Sequence, residues 1–245
     1  MNIREYISQK KKEILIGRLT SNQFQQFFRT NAAELQKMLT YYECAIMEVE
    51  TKFKVLNQEF SLSREYSPIE TIKSRLKSID SLIEKVERYQ VPLSVKDIED
   101  QIEDIAGIRV ICGFPEDIYT VADCFLHQDD VVLIDCKDYI RNPKENGYRS
   151  LHLIVAVPIF LEHEKREVKV EVQLRTIAMD FWASLEHKLK YKKELPADIS
   201  DRLVGELLEC ATIGADLDNR MQNIRRQLSE DSSEIDDAVD QHQWL

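Results

Sequence analysis

Of 245 residues only six are glycine and six proline, and no apolar run approaches the length that crosses a bilayer. The first shortage excludes a collagenous chain or a long flexible linker, and the second leaves no candidate membrane span. The stretch from Met1 to Thr20 also lacks the continuous apolar core of a signal peptide, so a soluble, cytoplasmic protein is expected. Five cysteines, Cys44, Cys112, Cys124, Cys136 and Cys210, fall without a CxxC pair, which argues against a disulfide framework or structural zinc and for satisfied or buried free thiols. Positive charge is scarce too: 33 Lys and Arg against 44 Asp and Glu give a net charge of −11. Such a balance excludes a surface that coats polyanions generally, while leaving room for a local basic pocket. What is present, 43% hydrophobic residues, supports a folded, helix-rich interior of one or two domains.

From Phe24 to Phe60 apolar residues recur at helical spacing with no Pro or Gly, predicting one or two helices. Ser67-Pro68 reads as a helix start, and a helix is expected near Ile69 to Tyr89. Pro92 ends that region, and Ser94 with Asp97 three residues on predicts a short helix through about Ile102. The texture then changes. IAGIRVICGF, VVLID, SLHLIVAVPIF and EVKVEVQL are successive strand candidates, with PEDIYTVADCFLHQ between the first two patterned as a helix covering one sheet face. In EVKVEVQL, Val168, Val170 and Val172 alternate with Lys169, Glu171 and Gln173, so Glu171 and Gln173 share a polar face. TIAMDFWASLEHKLKYK predicts a helix packed by Ile177, Phe181, Trp182, Leu185 and Leu189. Beyond Pro196 a last helix is expected around Ile199 to Leu228. Gln227 to Leu245 carries six acidic residues and no Lys or Arg, a composition of a frayed tail, an interaction segment or a counter-charge for another subunit. The expected organisation is an N-terminal helical region (1–67), a mixed α/β core (68–195), a C-terminal helical region (196–230) and a flexible acidic tail (231–245).

Three groups of polar residues carry chemistry. On a helix, Lys77, Ser81 and Lys85 of KSRLKSIDSLIEK fall along one side with Lys73 a turn before them, forming either a phosphate-binding ridge or a solvated face paired with Glu84. Asp104, just before the IAGIRV strand, and Glu171 are carboxylates from separate elements that could together hold Mg2+; a turn cap, and a polar sheet surface or a pair with Arg175, are the plainer readings. KDYIRNPKENGYRSLH concentrates Lys137, Arg141, Lys144 and Arg149 with the directional groups Asn146 and His152, a turn glycine at Gly147, and Tyr148 as a planar face for a purine. Turn grammar, core packing of Tyr148 and a structural His152 compete with that reading. No Walker or Rossmann glycine pattern is present.

Taken in order, KSRLKS, DIAGIRV, KDYIRNPKENGYRSLH, EVQLRT and MDFWASLEHKLKYK resemble the blocks of the RelA/SpoT-type guanosine tetra- and pentaphosphate synthetases, in their small, single-domain form, over about Pro68 to Lys192. The resemblance implies a mixed sheet flanked by helices, related to nucleotidyltransferase folds. It implies an enzyme of the stringent response, a GTP pyrophosphokinase that transfers the β,γ-pyrophosphate of ATP to the 3′-hydroxyl of GDP or GTP, with Mg2+, releasing AMP. By that resemblance Arg75, Lys77, Ser81, Lys85 and Arg109 contact ATP; Asp104 and Glu171 are the catalytic and Mg2+-binding acids; Tyr148 stacks on guanine; and Lys137, Lys144, Asn146, His152 and Gln173 serve the acceptor side. Ser78 departs from the basic or histidine version of long relatives. No histidine occurs in the first 126 residues, so a hydrolase module is not expected, nor a ribosome-sensing extension. A homotetramer is implied by the terminal helices, with product, acceptor nucleotide and RNA all open as its regulators. Two other readings stand beside this one: a nucleotide- or RNA-binding regulator on the same fold, and a general nucleotidyltransferase.

Overall fold

The computed structural model describes residues 26–27, 29–63, 66–190 and 197–240. The segment up to residue 25, the break at Pro196 and the end of the acidic tail with Trp244 lie outside them. The elements run α1 (Ala32–Ser63), β1 (Ile69–Leu76), α2 (Ile79–Tyr89), α3 (Val95–Gln101), β2 (Ala106–Cys112), α4 (Pro115–Leu126), β3 (Val132–Asp138), β4 (Leu151–Phe160), β5 (Lys165–Thr176), α5 (Ile177–Lys190) and α6 (Ala197–Asp240). Among the described residues the strands form one five-stranded sheet in the order β1-β2-β5-β4-β3, with β2 and β5 parallel and every other pair antiparallel. This is the expected α/β class, a mixed sheet flanked by helices.

Alternation along the strands divides the sheet into two chemically different faces. Ile108 and Val110 of β2, Leu153, Val155 and Val157 of β4, and Val168, Val170 and Val172 of β5 all point to one side and are buried. Helix α1 covers that side with Leu35, Met38, Tyr42, Ala45, Val49, Phe53 and Leu56, and Phe53 stacks on Phe125 of α4 with ring centroids 4.4 Å apart. The other side is left to polar residues.

The expected helix over Ile69 to Tyr89 is corrected. Ile69 to Leu76 is a strand paired antiparallel with β2, from Ile69 opposite Cys112 to Leu76 opposite Ala106. The helix starts only at Ile79, where extended Ser78 is the N-cap and its Oγ accepts from the Ser81 backbone N–H at 3.3 Å. Ser67 Oγ instead accepts from the Ile69 N–H, a local turn that feeds the strand. Ladder hydrogen bonds to β2 override the helix propensity of Glu70, Lys73 and Arg75.

Helix α5 carries a second correction. Of the expected packing residues Ile177, Phe181, Leu185 and Leu189 are exposed and Trp182 is buried as expected, joined by Met179 and Ala183. Thr176 Oγ1 accepts from the Met179 N–H at 3.1 Å, which fixes the rotation of the helix at its start. Trp182 Nε1 donates to the Leu207 carbonyl of α6 at 2.8 Å, tying the last helix to this one. Helix α6 itself runs on to Asp240, well past the expected end at Leu228. The short helix after Ser94 forms as expected, with Ser94 Oγ accepting from the Asp97 N–H at 3.0 Å. All five cysteines are free, but Cys136 and Cys210 are exposed.

Candidate active site

The polar face of the sheet is built by register. Lys73 of β1 lies opposite Arg109 of β2, Arg109 opposite Gln173 of β5, Gln173 opposite His152 of β4, and His152 opposite Lys137 of β3. One step along, Arg75, Gly107, Glu171, Ile154 and Asp135 form a parallel row. Because side chains two apart share a face, both rows look the same way. Two hollows open on them. One, of about 210 Å³, is lined by Lys73, Arg75, Gly107, Arg109 and Gln173. The other, of about 300 Å³, includes Lys85, Asp104, Lys137, Tyr139, His152 and Glu171 in its lining. They meet at β5, where Gln173 lines the first and Glu171 the second.

Asp104 sits between two ammonium groups: Lys77 Nζ donates to Oδ2 at 2.8 Å, and Lys85 Nζ lies 2.7 Å from Oδ1. The second contact is a close ion pair, so each Asp104 oxygen faces its own ammonium group. Burial pushes the Asp104 carboxyl up, but the two lysines outweigh it and hold the group below its ordinary value. Burial likewise acts upward on Glu171; His152, with Nδ1 3.2 Å from Oε1, and the Gln173 amide, donating to Oε2 at 2.9 Å, reverse it and keep Glu171 low, with Asp104 working against them. Both are therefore carboxylates. Hard oxygen donors of this kind suit Mg2+, which takes one or two carboxylates and completes its shell with water and substrate phosphate. Asp104 and Glu171, both carboxylates on the larger hollow, fit such an ion; among the described residues no cluster of three or more His, Cys, Asp or Glu forms a cage by itself.

The pattern of residues 137–152 folds as a strand, a loop and the start of a second strand. Gly147 has φ 86°, and a Cβ there would stand 2.5 Å from the Ala211 Cβ of α6, so the loop needs glycine for conformation and for clearance. Lys144 reaches over the rings of Tyr139 and Tyr148, 4.5 and 5.1 Å from their centroids. Tyr139, not singled out in the sequence, lines the larger hollow.

Residues 74–195 match the family described as the region found in RelA/SpoT proteins. GTP pyrophosphokinase YwaC of Bacillus subtilis is 42% identical over 200 residues, 82% of this chain and 94% of that protein. The chain belongs to the RelA/SpoT family. GTP pyrophosphokinase YjbM of the same organism is 35% identical over 80% of this chain and 90% of its own length. The fold agrees: small alarmone synthetase 1 of B. subtilis, solved with its product pppGpp, superposes with a TM-score of 0.73 at 34% identity, covering 80% of this chain and 99% of that one. Small alarmone synthetase 2 gives 0.71 at 42% identity, over 79% and 99%.

Not every residue that the RelA/SpoT resemblance singles out lines a hollow. Ser81 is exposed and engaged by Ser78, whose hydroxyl donates to it at 3.0 Å. Asn146 donates to Glu186 at 3.1 Å and accepts from the Tyr148 N–H, shaping the loop. Tyr148 is half-buried, edge-on to Tyr139 and His152. Two residues absent from the expected set knit this family site together. Asp180, on the first turn of α5, meets Lys73 at 3.3 Å, Arg109 at 3.1 Å and Arg175 at 3.3 Å. Arg175 is buried and pairs with Asp180, not Glu171. The signal available in the sequence was the continued alternation Glu171, Gln173, Arg175, which puts Arg175 on the polar face.

Proposed function

We infer that the chain is a (p)ppGpp synthetase, moving the β,γ-pyrophosphate of ATP to the 3′-hydroxyl of GDP or GTP and releasing AMP. The observation that carries this is the pair of hollows on one sheet face, meeting at β5 with Glu171 and Gln173 at the junction, in a chain related along most of its length to GTP pyrophosphokinases. In this reading ATP lies against Arg75, Lys77, Lys85 and Arg109, with Ser81 at the first turn of α2. The guanosine nucleotide lies against Lys137, Lys144, Asn146, His152 and Gln173, with Tyr148 as its stacking face. When bound, Mg2+ supplies charge neutralisation at the β- and γ-phosphates, with Asp104 and Glu171 to hold it. Glu171 orients the 3′-hydroxyl and takes its proton as the new bond from the 3′-oxygen to the β-phosphorus forms. The bond from that phosphorus to the α,β-bridging oxygen breaks, and its electron pair leaves with AMP. The residues contribute alignment and fixed charge, and nothing covalent.

The enzyme works as a homotetramer in the cytoplasm, the apolar outer faces of α5 and α6 supporting self-association. Among the described residues no helix is long and apolar enough to cross a membrane. Incubation with ATP, GDP or GTP, and Mg2+, followed by chromatographic separation, tests the activity: AMP with a more phosphorylated guanosine nucleotide is expected. Pyrophosphate release with nucleotidyl transfer would instead indicate a nucleotidyltransferase, and RNA binding with no product would indicate a regulator.

A further inference from the structure

The polar contacts around Glu171 have one origin. Arg175 Nη2 donates to Gln173 Oε1 at 2.9 Å, and Gln173 Nε2 donates to Glu171 Oε2 at 2.9 Å. The same Nη2 donates to Tyr148 Oη at 2.6 Å; Tyr148 Oη is 2.7 Å from His152 Nε2, and His152 Nδ1 is 3.2 Å from Glu171 Oε1. Two arms thus leave one guanidinium nitrogen and end on the two oxygens of one carboxylate.

Their polarity follows from chemistry. A guanidinium only donates, so it must face the oxygen of the Gln173 amide, which turns the amide nitrogen toward Glu171. In the other arm the Tyr148 oxygen already accepts from Arg175, and its own hydrogen has His152 Nε2 as the acceptor at hand. Nε2 is then bare and the proton resides on Nδ1, facing a carboxylate that can only accept. Arg175 is itself fixed: it is 4% exposed, its Nη1 donates to Asp180 Oδ1 at 3.3 Å, and its Nε donates to Ser150 Oγ at 3.4 Å. Since Asp180 also holds Lys73 and Arg109, the same anchor serves the smaller hollow.

Resting on the synthetase reading, we propose that Arg175, held by Asp180, is the positioning residue of this site: through Gln173 on one arm and Tyr148–His152 on the other it fixes both oxygens of Glu171 and sets His152 as the Nδ1–H tautomer. It touches no substrate. Its contribution is orientation, and groups one layer behind a reacting carboxylate are worth about 10- to 100-fold in activity.

Nitrogen NMR of histidine-labelled protein, with His152 assigned by a His152→Gln variant, reads the tautomer without turnover. The wild type is expected to show protonated Nδ1 and bare Nε2, and Arg175→Lys, which keeps the charge but loses the fork, is expected to move the Nε2 resonance. In steady-state kinetics Arg175→Lys should lower kcat about 10- to 100-fold while KM for each nucleotide changes far less. The double variant with Tyr148→Phe should lose less than the product of the two single losses. A protonated Nε2 in the wild type, unchanged His152 resonances in Arg175→Lys, or a wild-type kcat in that variant each overturns the proposal. If Arg175→Lys does not fold, Tyr148→Phe and Gln173→Met cut the arms separately: a moved His152 Nε2 resonance in Tyr148→Phe, with a lower kcat at little-changed nucleotide KM in both, supports convergence on Glu171, and a wild-type kcat or a loss confined to KM in either overturns it. A wild-type protein that makes no (p)ppGpp fails the synthetase reading alone, because the NMR outcomes still decide the role of Arg175.

Discussion

Glu171 stands in a nearly closed setting, with His152 on one oxygen, Gln173 on the other and Asp104 close enough to oppose its ionisation. Glu171→Gln keeps the volume and removes the charge, so thermal denaturation should be close to wild type while product formation falls by at least about 100-fold, the worth of a positioned base. Comparable product at equal folded fraction would contradict its role. The two acids were legible in the sequence because strand alternation puts Glu171 opposite the valines of the core and Asp104 falls at a strand entrance. Asp180 was not, since its worth depends on how α5 is rotated against β5, and most of the apolar pattern of that helix pointed to the wrong face: Phe181 and Leu185 look inward by periodicity, yet Thr176 turns Met179 inward beside the expected Trp182.

Partners distant in the chain decide what local pattern leaves open. The stretch from Ile69 to Leu76 has the composition of a helix and becomes the edge strand β1 because β2 offers it a ladder, so Lys73 and Arg75 arrive on the sheet rather than on a helical ridge with Lys77 and Lys85. The loop before β4 shows the same dependence on a distant partner. Gly147→Ala should destabilise the fold by about 1–3 kcal/mol, from the left-handed backbone and the meeting with Ala211, read as a lower denaturant midpoint. A midpoint at the wild-type value would mean that the loop does not rest on α6. The seat of α6 also titrates. Asp218 accepts from Thr176 Oγ1 at 2.8 Å, with Arg149 at 3.7 Å; burial raises its carboxyl above the ordinary 3.8 and outweighs both partners. A raised folded value means that its stabilising contribution is complete below 3.8 and is lost as pH rises through the folded value. Relative to Asp218→Asn, which stays neutral, the wild type should therefore gain in denaturant midpoint between about pH 7 and about pH 4. A gap that does not move with pH would contradict this.

For the whole molecule the global charge of −11 says little about nucleotide binding, because Lys73, Arg75, Lys77, Lys85, Arg109, Lys137 and Lys144 gather on one side of the sheet while acidic residues crowd the C-terminal end. What global composition could not show is the outer apolar surface, where Phe181 and Leu189 are 68% and 66% exposed and Ile213, Leu217 and Leu228 are more than half exposed. Light scattering should give a mass near four chains, and Phe181→Glu with Leu185→Glu should lower it; a monomeric wild type at working concentration would rule the tetramer out. The central claim concerns one bond. Phosphorus NMR of the guanosine product formed from ATP and GDP should show a diphosphate on the ribose 3′-oxygen, with AMP in equal amount. A product lacking that 3′-diphosphate, or formed with free pyrophosphate in place of AMP, would contradict the account.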